Sequence, residues 1–449
     1  MKVESKIFKA YDIRGIYPTE LNEDVAYAIG RAFVTFLEVD TVIVGRDMRL
    51  SGAAMFEGVV KGLTEQGADV IDIGMVSTDQ YYYACANLGH AGMMVTASHN
   101  PKEYTGFKMV KKMPQLLSGD EGIQDIRRIV QNDDFATPKR KGTVSKKDLT
   151  AEFVDYVVSL VDVKVLKPLK IIADTGNGMV GPILKLVYDH LPVKLTGMYL
   201  EPDGNLPNHG LDPLQEENRA ELQQRVKDEG ADVGFAFDGD GDRFFTIDDR
   251  GQFVSGDFLT ALMGQYMLER YPPGTKVLYD VRASWAVPDM IKKSGGVPLI
   301  ERVGHSFIKA RMSKEDAVFA GEVSGHYYFE NFYYADSGIV PSLMVMEMIS
   351  KRGKKFSELL SELESKYFIS GEINSRINVE PAVKMKEIAQ IFSDANKIEW
   401  LDGVSILYDD WHCNVRPSNT EPLLRLNLEA KTKEMMEAKR DHVLDIIRS

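Results

Sequence analysis

The feature that most constrains this chain is a pattern that recurs three times before about residue 330. An apolar run ends in an aspartate, a short polar turn follows, and then comes a segment with helical apolar spacing. The runs are Thr41-Val-Ile-Val-Gly-Arg-Asp47, Lys170-Ile-Ile-Ala-Asp174 and Lys276-Val-Leu-Tyr-Asp280. Second strand-like runs follow at Ala68–Gly74, Val193–Leu200 and Val297–Glu301, and each third run empties into a loop dense in polar residues. Strands alternating with helices require sheets with substantial parallel pairing, covered on both faces. In such sheets ligands sit beyond the carboxyl ends of the strands. Three related units that each bring a polar loop to that end predict one shared cleft. The recurrence alone leaves open the plainer reading that α/β domains resemble one another.

Beyond about residue 370 the pattern changes. Helical spacing near Pro381–Asp394 and Lys431–Arg448 encloses strand-like runs near Val404–Tyr408 and Leu423–Leu428. The apolar run Ile339–Met348 reads as a core helix. The expected fold is therefore α/β: three related mixed α/β domains over 1–148, 149–254 and 255–368, plus a smaller C-terminal α+β domain over 369–449, around a central cleft.

With 54 Lys and Arg against 67 Asp and Glu, the 449-residue chain carries a net charge of −13. That balance argues against general nucleic-acid binding, which needs a basic face, so any bound phosphate needs a local cationic cluster. Two cysteines without paired spacing make neither a disulfide framework nor a zinc site. The N-terminal residues have no apolar core of a signal peptide, and no run is long enough to span a membrane. The expectation is a cytoplasmic protein with small-molecule partners, no nucleic acid and no membrane.

The loops carry the chemistry, and each has a plain reading beside it. In Thr96-Ala-Ser-His-Asn-Pro101, Ser98 follows an apolar run, which puts its hydroxyl at a strand end within reach of a ligand. As a nucleophile it needs a nearby base or cations. Adjacent residues seldom face each other, so a Ser98–His99 pair is not expected; a capped strand-to-helix turn is the alternative. In Asp238-Gly-Asp-Gly-Asp-Arg243, Asp238, Asp240 and Asp242 repel one another unless a cation is present or a carboxyl pKa rises. A hard divalent ion such as Mg²⁺ with phosphate oxygens fits; an acidic hairpin turn is the alternative. Arg243 where a calcium loop has glycine, and strands as flanks, exclude an EF-hand. Glu322, Ser324 and His326 offer donors and acceptors suited to neutral sugar hydroxyls, or form an ordinary polar turn. Arg416, Ser418, Asn419 and Thr420 combine a guanidinium with hydroxyl and amide donors, a mixture suited to a terminal phosphate or to solvated surface.

Taken in order, with Phe8-Lys-Ala-Tyr-Asp-Ile-Arg-Gly15 ahead of them, these motifs make the chain resemble the α-D-phosphohexomutase family over its whole length. It resembles most the bacterial and archaeal phosphomannomutase/phosphoglucomutase members. The resemblance implies reversible phosphoryl transfer between the 1- and 6-positions of glucose or mannose phosphates, by way of a phosphorylated Ser98 and a 1,6-bisphosphate that turns end over end. It implies one Mg²⁺ per chain on Asp238, Asp240, Asp242 and Ser98, and glucose or mannose 1,6-bisphosphate as activator. Arg14, Lys108 and Arg243 match positions beside the phosphoserine, with Lys108 assisting proton transfer if its pKa is lowered. His305 and His326 match acid/base or hydrogen-bonding positions near the sugar, Glu322 and Ser324 match holders of its O3 and O4 hydroxyls, and Arg425 joins Arg416, Ser418, Asn419 and Thr420 at the distal phosphate. Glucose and mannose share O3 and O4 geometry, so dual specificity is expected. Arg282 stands where many relatives have Lys. The alternatives are a phosphoglucosamine mutase, against which Val323 and Asn419 speak, a non-catalytic sugar-phosphate-binding protein, and a Mg²⁺-dependent phosphatase. A monomer or homodimer is expected.

Overall fold

The computed structural model describes residues 3–119, 121–418 and 423–449. These fall into two compact units, Met1–Val254 with Ser324–Lys355, and Ser255–Val323 with Phe356–Ser449.

The first unit holds two mixed sheets. In one, Thr41–Arg46 lies parallel between Asp69–Met75 and Ala91–Val95, and Asp69–Met75 pairs on with Val144–Lys146. Two antiparallel strands that the sequence pattern did not announce extend it, Tyr104–Lys112 beside Ala91–Val95 and then Ile13–Ile16. In the other, Lys170–Asp174 lies parallel between Lys194–Met198 and Val233–Phe237, and Phe244–Ile247 returns antiparallel to Val233–Phe237. Both sheets thus run fourth, third, first, second in their shared strands, which is the recurrence of the sequence made structural. The register Phe237↔Phe244 makes residues 238–243 the tip of a hairpin whose strands are fully buried. Burial of every position of these two strands, rather than of alternate ones, is what a sheet covered on both faces demands. The expected core helix runs Ile339–Arg352, with all residues through Ser350 buried.

In the second unit Lys276–Asp280 lies parallel between Val297–Glu301 and Phe319–Gly321. A separate antiparallel sheet follows the order Phe368–Arg376, Leu423–Ala430, Trp411–Pro417, Val404–Leu407, Lys397–Glu399. Helices Pro381–Ile391 and Lys433–Arg448 pack on it, closing a core around Trp411, Leu424, Leu426, Ile388 and Val443. Among the described residues no helix is long and apolar enough to cross a membrane.

The aspartate that ends each recurring strand has one local task. Its carboxylate accepts the backbone N–H two residues on: Arg49 from Asp47 (3.0 Å), Gly176 from Asp174 (2.9 Å) and Arg282 from Asp280 (2.8 Å). This is the turn that short polar side chains make at strand ends. Each carboxylate also faces a cationic or ring nitrogen: Arg49 Nε at 3.3 Å, His209 Nε2 at 3.1 Å and Arg282 Nε at 2.9 Å.

Candidate active site

Ser98 lies three residues beyond the buried strand Ala91–Val95, with φ at +48°. That left-handed backbone swings its side chain beside the next residue, so Ser98 Oγ is 3.1 Å from His99 Nδ1, a meeting the sequence reading did not expect. The hydroxyl donates to Asp238 Oδ2 at 2.8 Å. Ser98 is only 2% exposed, deeper than a ligand-accessible strand end implies. The reason is the loop that follows it. Arg49 donates to the carbonyls of Ser98 (2.8 Å), Asn100 (2.6 Å), Pro101 (2.7 Å) and Tyr104 (3.0 Å), drawing residues 98–104 into a tight cap. Arg14 pairs with Asp12 at 2.6 Å and donates to the Asn100 side chain, so it reaches the same loop. Burial, with Arg243 and Arg14 nearby, pushes the His99 pKa well below its ordinary value, which keeps the ring neutral.

The hairpin tip packs directly under this loop. A β-carbon on Gly239 would lie 2.7 Å from the Ser98 carbonyl oxygen, so only glycine permits the approach. Asp238, Asp240 and Asp242 are all buried, and their oxygens lie within 4.8 Å of one another. Asp238 Oδ1 accepts from the N–H groups of Gly241 (3.1 Å) and Arg243 (3.2 Å). Asp240 Oδ2 accepts from Lys108 Nζ (2.6 Å), Thr78 (2.7 Å) and Thr96 (3.3 Å), whereas Asp240 Oδ1 is buried and meets no donor among the described residues. Burial, Asp240 and Asp242 raise the Asp238 pKa well above the carboxylate range, as three crowded acids require. An orphaned buried oxygen in a cluster of three oxygen donors fits a hard divalent cation.

Lys108 bonds to both Asp240 and Asp242. Burial alone would lower its pKa, but Asp240 and Asp242 outweigh burial and raise it. The condition attached to Lys108 in the sequence, a lowered pKa, is thus not met between these two acids, and in this structure Lys108 stands as a buried cation paired with both. Arg243 Nε lies 3.9 Å from Asp238 Oδ2, and His326 Nε2 is 3.5 Å from Asp242 Oδ1. His326 reaches this position because its backbone bridges to that of Arg243, and its Nδ1 is 3.1 Å from Ser324 Oγ. Asp336 completes a second set with Asp242 and His326, again within 4.8 Å.

A second cluster belongs to the other unit. Glu322 is buried and accepts the N–H of Gly304 at 3.1 Å, which ties it to the start of the helix His305–Glu315 and so to His305. Arg282 Nη2 is 2.8 Å from Asp280 and 3.9 Å from Glu322. Arg416 lies on the strand Trp411–Pro417 rather than in a loop, opposite Arg425 on Leu423–Ala430, where the sequence already shows a strand-like run. His412, Asn414 and Arg416 alternate with Trp411, Cys413 and Val415, the period of a strand, which the polar run from Arg416 onward masks. Ser418 Oγ is 3.5 Å from Arg425 Nη2. Asn419 and Thr420 lie outside the described residues.

The sequence reading missed Arg49, Thr78, Asp336 and Glu372. For Arg49 a signal existed, since it sits two residues after a recurring strand-end aspartate, as Arg282 does. Thr78 opens a helix and Asp336 ends the two-residue strand Ala335–Asp336, places that no local pattern distinguishes.

Four family descriptions match the chain in order: phosphoglucomutase/phosphomannomutase alpha/beta/alpha domain I over residues 5–137, domain II over 151–251, domain III over 255–367 and the C-terminal domain over 372–446. The phosphomannomutase of Escherichia coli strain K12 is 40% identical over 450 residues, covering 98% of each chain. The phosphohexose mutases of Xanthomonas campestris pv. campestris strain B100 are 40% identical over 444 residues, 98% of this chain and 99% of theirs. The crystal structure of a phosphoglucomutase/phosphomannomutase family protein from Burkholderia thailandensis superposes with a TM-score of 0.90 at 32% identity, covering 99% of this chain and 97% of that one. A fold of three α/β/α domains and a C-terminal domain, with a serine hydroxyl on an acidic triad, thus defines a phosphohexomutase, an isomerase of carbohydrate metabolism. The chain belongs to the phosphoglucomutase/phosphomannomutase family.

Proposed function

We propose that this enzyme isomerises hexose 1- and 6-phosphates of glucose and mannose through a phosphorylated Ser98. The observation that carries the reading is the 2.8 Å hydrogen bond from Ser98 Oγ to Asp238, within a triad flanked by Lys108 and Arg243. A phosphoryl group on Ser98 adds about −1.5 to −2 charge to three carboxylates, which demands the cations that Lys108, Arg243 and Arg14 supply. One Mg²⁺ per chain would be held by Asp238, Asp240, Asp242 and Ser98, and when bound it neutralises the triad and polarises phosphoryl oxygens.

A sugar hydroxyl attacks the phosphorus carried by Ser98, the bond from phosphorus to Ser98 Oγ breaks with Oγ taking up the hydroxyl's proton, and a 1,6-bisphosphate forms; in the second transfer Ser98 Oγ attacks the other phosphorus, that phosphorus–sugar oxygen bond breaks, and the freed sugar oxygen takes the serine proton. Catalysis is mostly positioning and charge stabilisation. Arg49 fixes the loop that carries Ser98, and Lys108 stays a cation throughout. His326, beside Asp242, and His305, beside Glu322, are the acid/base or hydrogen-bonding groups for the sugar. Glu322 and Ser324 hold O3 and O4, and Arg416, Ser418, Asn419, Thr420 and Arg425 hold the distal phosphate. Glucose or mannose 1,6-bisphosphate primes the serine.

The test is an assay of kcat/KM on mannose 1-phosphate, glucose 1-phosphate and glucosamine 1-phosphate with Mg²⁺ and bisphosphate. Comparable values for the first two, well above the third, are expected. A preference for glucosamine 1-phosphate, or release of inorganic phosphate without isomer, overturns the reading.

A further inference from the structure

The arginine cluster of the second unit already holds an anion of its own. Arg416 and Arg425 are paired directly across adjacent antiparallel strands, an arrangement that destabilises a sheet when charges are alike. Glu372 relieves it. Its Oε1 accepts from Arg425 Nη1 at 3.0 Å and its Oε2 from Arg416 Nη2 at 2.9 Å, while Arg282 Nη1 lies 3.4 Å from Oε2. A bulge aims it there. The pairing of Phe368–Arg376 with Leu423–Ala430 shifts register between Ile369 and Glu372, and Gly371 turns the chain with φ at +68°, where a side chain would be strained.

Three features mark this carboxylate as a placeholder. First, three guanidiniums share it. Second, Nε of Arg416 and Nε of Arg425 are buried and meet no acceptor among the described residues. Third, the Glu372 side chain is 23% exposed against 6% for Arg416 and 4% for Arg282, so it lies on the solvent side of the two innermost arginines. A phosphate brings more acceptor oxygens and more charge than a carboxylate.

We infer that Glu372 is an internal competitor for the arginine cradle, occupying it between substrates and yielding to the substrate's distal phosphate. The inference rests on the proposed reading of that cradle. Its consequence lies in the turn of the bisphosphate, which must let go of the cradle to present its other end. Release into an empty cradle would leave three crowded guanidiniums facing one another. With Glu372 swinging back, release becomes an exchange of one anion for another. Glu372 thus weakens phosphate binding and speeds release; it is a positioning residue that never touches the reacting atoms.

The test is steady-state kinetics of the full chain on glucose 1-phosphate, with inorganic phosphate as inhibitor. Glu372→Gln is expected to lower both KM and the phosphate inhibition constant about tenfold, a difference of roughly 1.4 kcal/mol. It is also expected to lower kcat about threefold, because both constants fall together when a ground state is held too tightly. A raised KM, or an inhibition constant that is unchanged or weaker, overturns the inference. Should Glu372→Gln fail to fold by circular dichroism, Glu372→Asp, one methylene too short to bridge both arginines, is expected to tighten phosphate inhibition about threefold; no tightening overturns the inference. Arg416→Gln separates the two levels. Loss of phosphate inhibition supports the cradle, and inhibition at the wild-type value removes the cradle and this inference with it.

Discussion

Replacing Lys108 by methionine keeps most of the side-chain volume and removes the ammonium that holds Asp240 and Asp242 together. The ammonium is 2.6 Å from Asp240 Oδ2 and bonds to Asp242 as well, with its side chain 4% exposed. Removing one partner of a buried ion pair costs about 3–5 kcal/mol, because the remaining charges lose their compensation. At about 2 °C per kcal/mol for a large domain, the first unfolding transition of Lys108→Met in EDTA should fall by about 6–10 °C. Magnesium should then matter more to the variant than to the wild type, since the triad has lost its internal cation. Tenfold tighter Mg²⁺ binding adds about 1.4 kcal/mol of stabilisation at saturation, so the gap should narrow by about 3 °C. Differential scanning calorimetry in EDTA and in saturating Mg²⁺ reads both effects. Equal melting temperatures in EDTA, or a gap that widens with Mg²⁺, would refute the assignment of Lys108 as the fixed counter-charge of the triad.

Two further outcomes follow from buried groups elsewhere. Burial, opposed by the Ser284 N–H and reinforced by Asp280 and Glu429, raises the Asp257 carboxyl from 3.8 to about 7. The folded state therefore keeps a proton that the unfolded chain releases above its ordinary pKa, so this stabilisation is full below about pH 4 and is lost as pH rises to about 7, roughly 4 kcal/mol in all. Asp257→Asn should gain in melting temperature over the wild type across that window and stay level above it; a gap independent of pH would contradict the assignment. Arg49→Lys, which cannot reach four carbonyls, should lower kcat about a hundredfold through misplacement of Ser98, with KM changed by less than about twofold; steady-state kinetics check it, and an unchanged kcat would show that the loop holds itself.

The parts of the site that the sequence made legible are those whose chemistry is local. Asp238, Asp240 and Asp242 announce themselves because glycines separate them within one hairpin tip, and Ser98 because a polar loop follows a buried strand. What stayed hidden depends on tertiary approach. The state of Lys108 is set by acids more than 130 residues away in the chain. The meeting of Ser98 with His99 needs a left-handed backbone that serine seldom adopts, and the burial of Ser98 needs the Arg49 guanidinium over its loop. Glu372 is aimed by a bulge, which breaks the alternation that would have revealed its strand. In the fold, the parallel strands of the recurring pattern were legible through their apolar runs, the first of each set through its terminal aspartate as well, whereas the exposed parallel strand Val144–Lys146 was not. The antiparallel strands Ile13–Ile16 and Tyr104–Lys112 were not, because each carries a cation, Arg14 or Lys108, inside its apolar run, and Trp411–Pro417 was not, because its alternation runs straight into the polar residues that follow Arg416.

The most direct measurement is intact-mass and phosphopeptide analysis after incubation with glucose 1,6-bisphosphate and Mg²⁺. One phosphoryl group, mapped to Ser98 and absent from Ser98→Ala together with isomerase activity, is expected. Full isomerase activity in Ser98→Ala, or a phosphoryl group carried on another residue, would contradict the account.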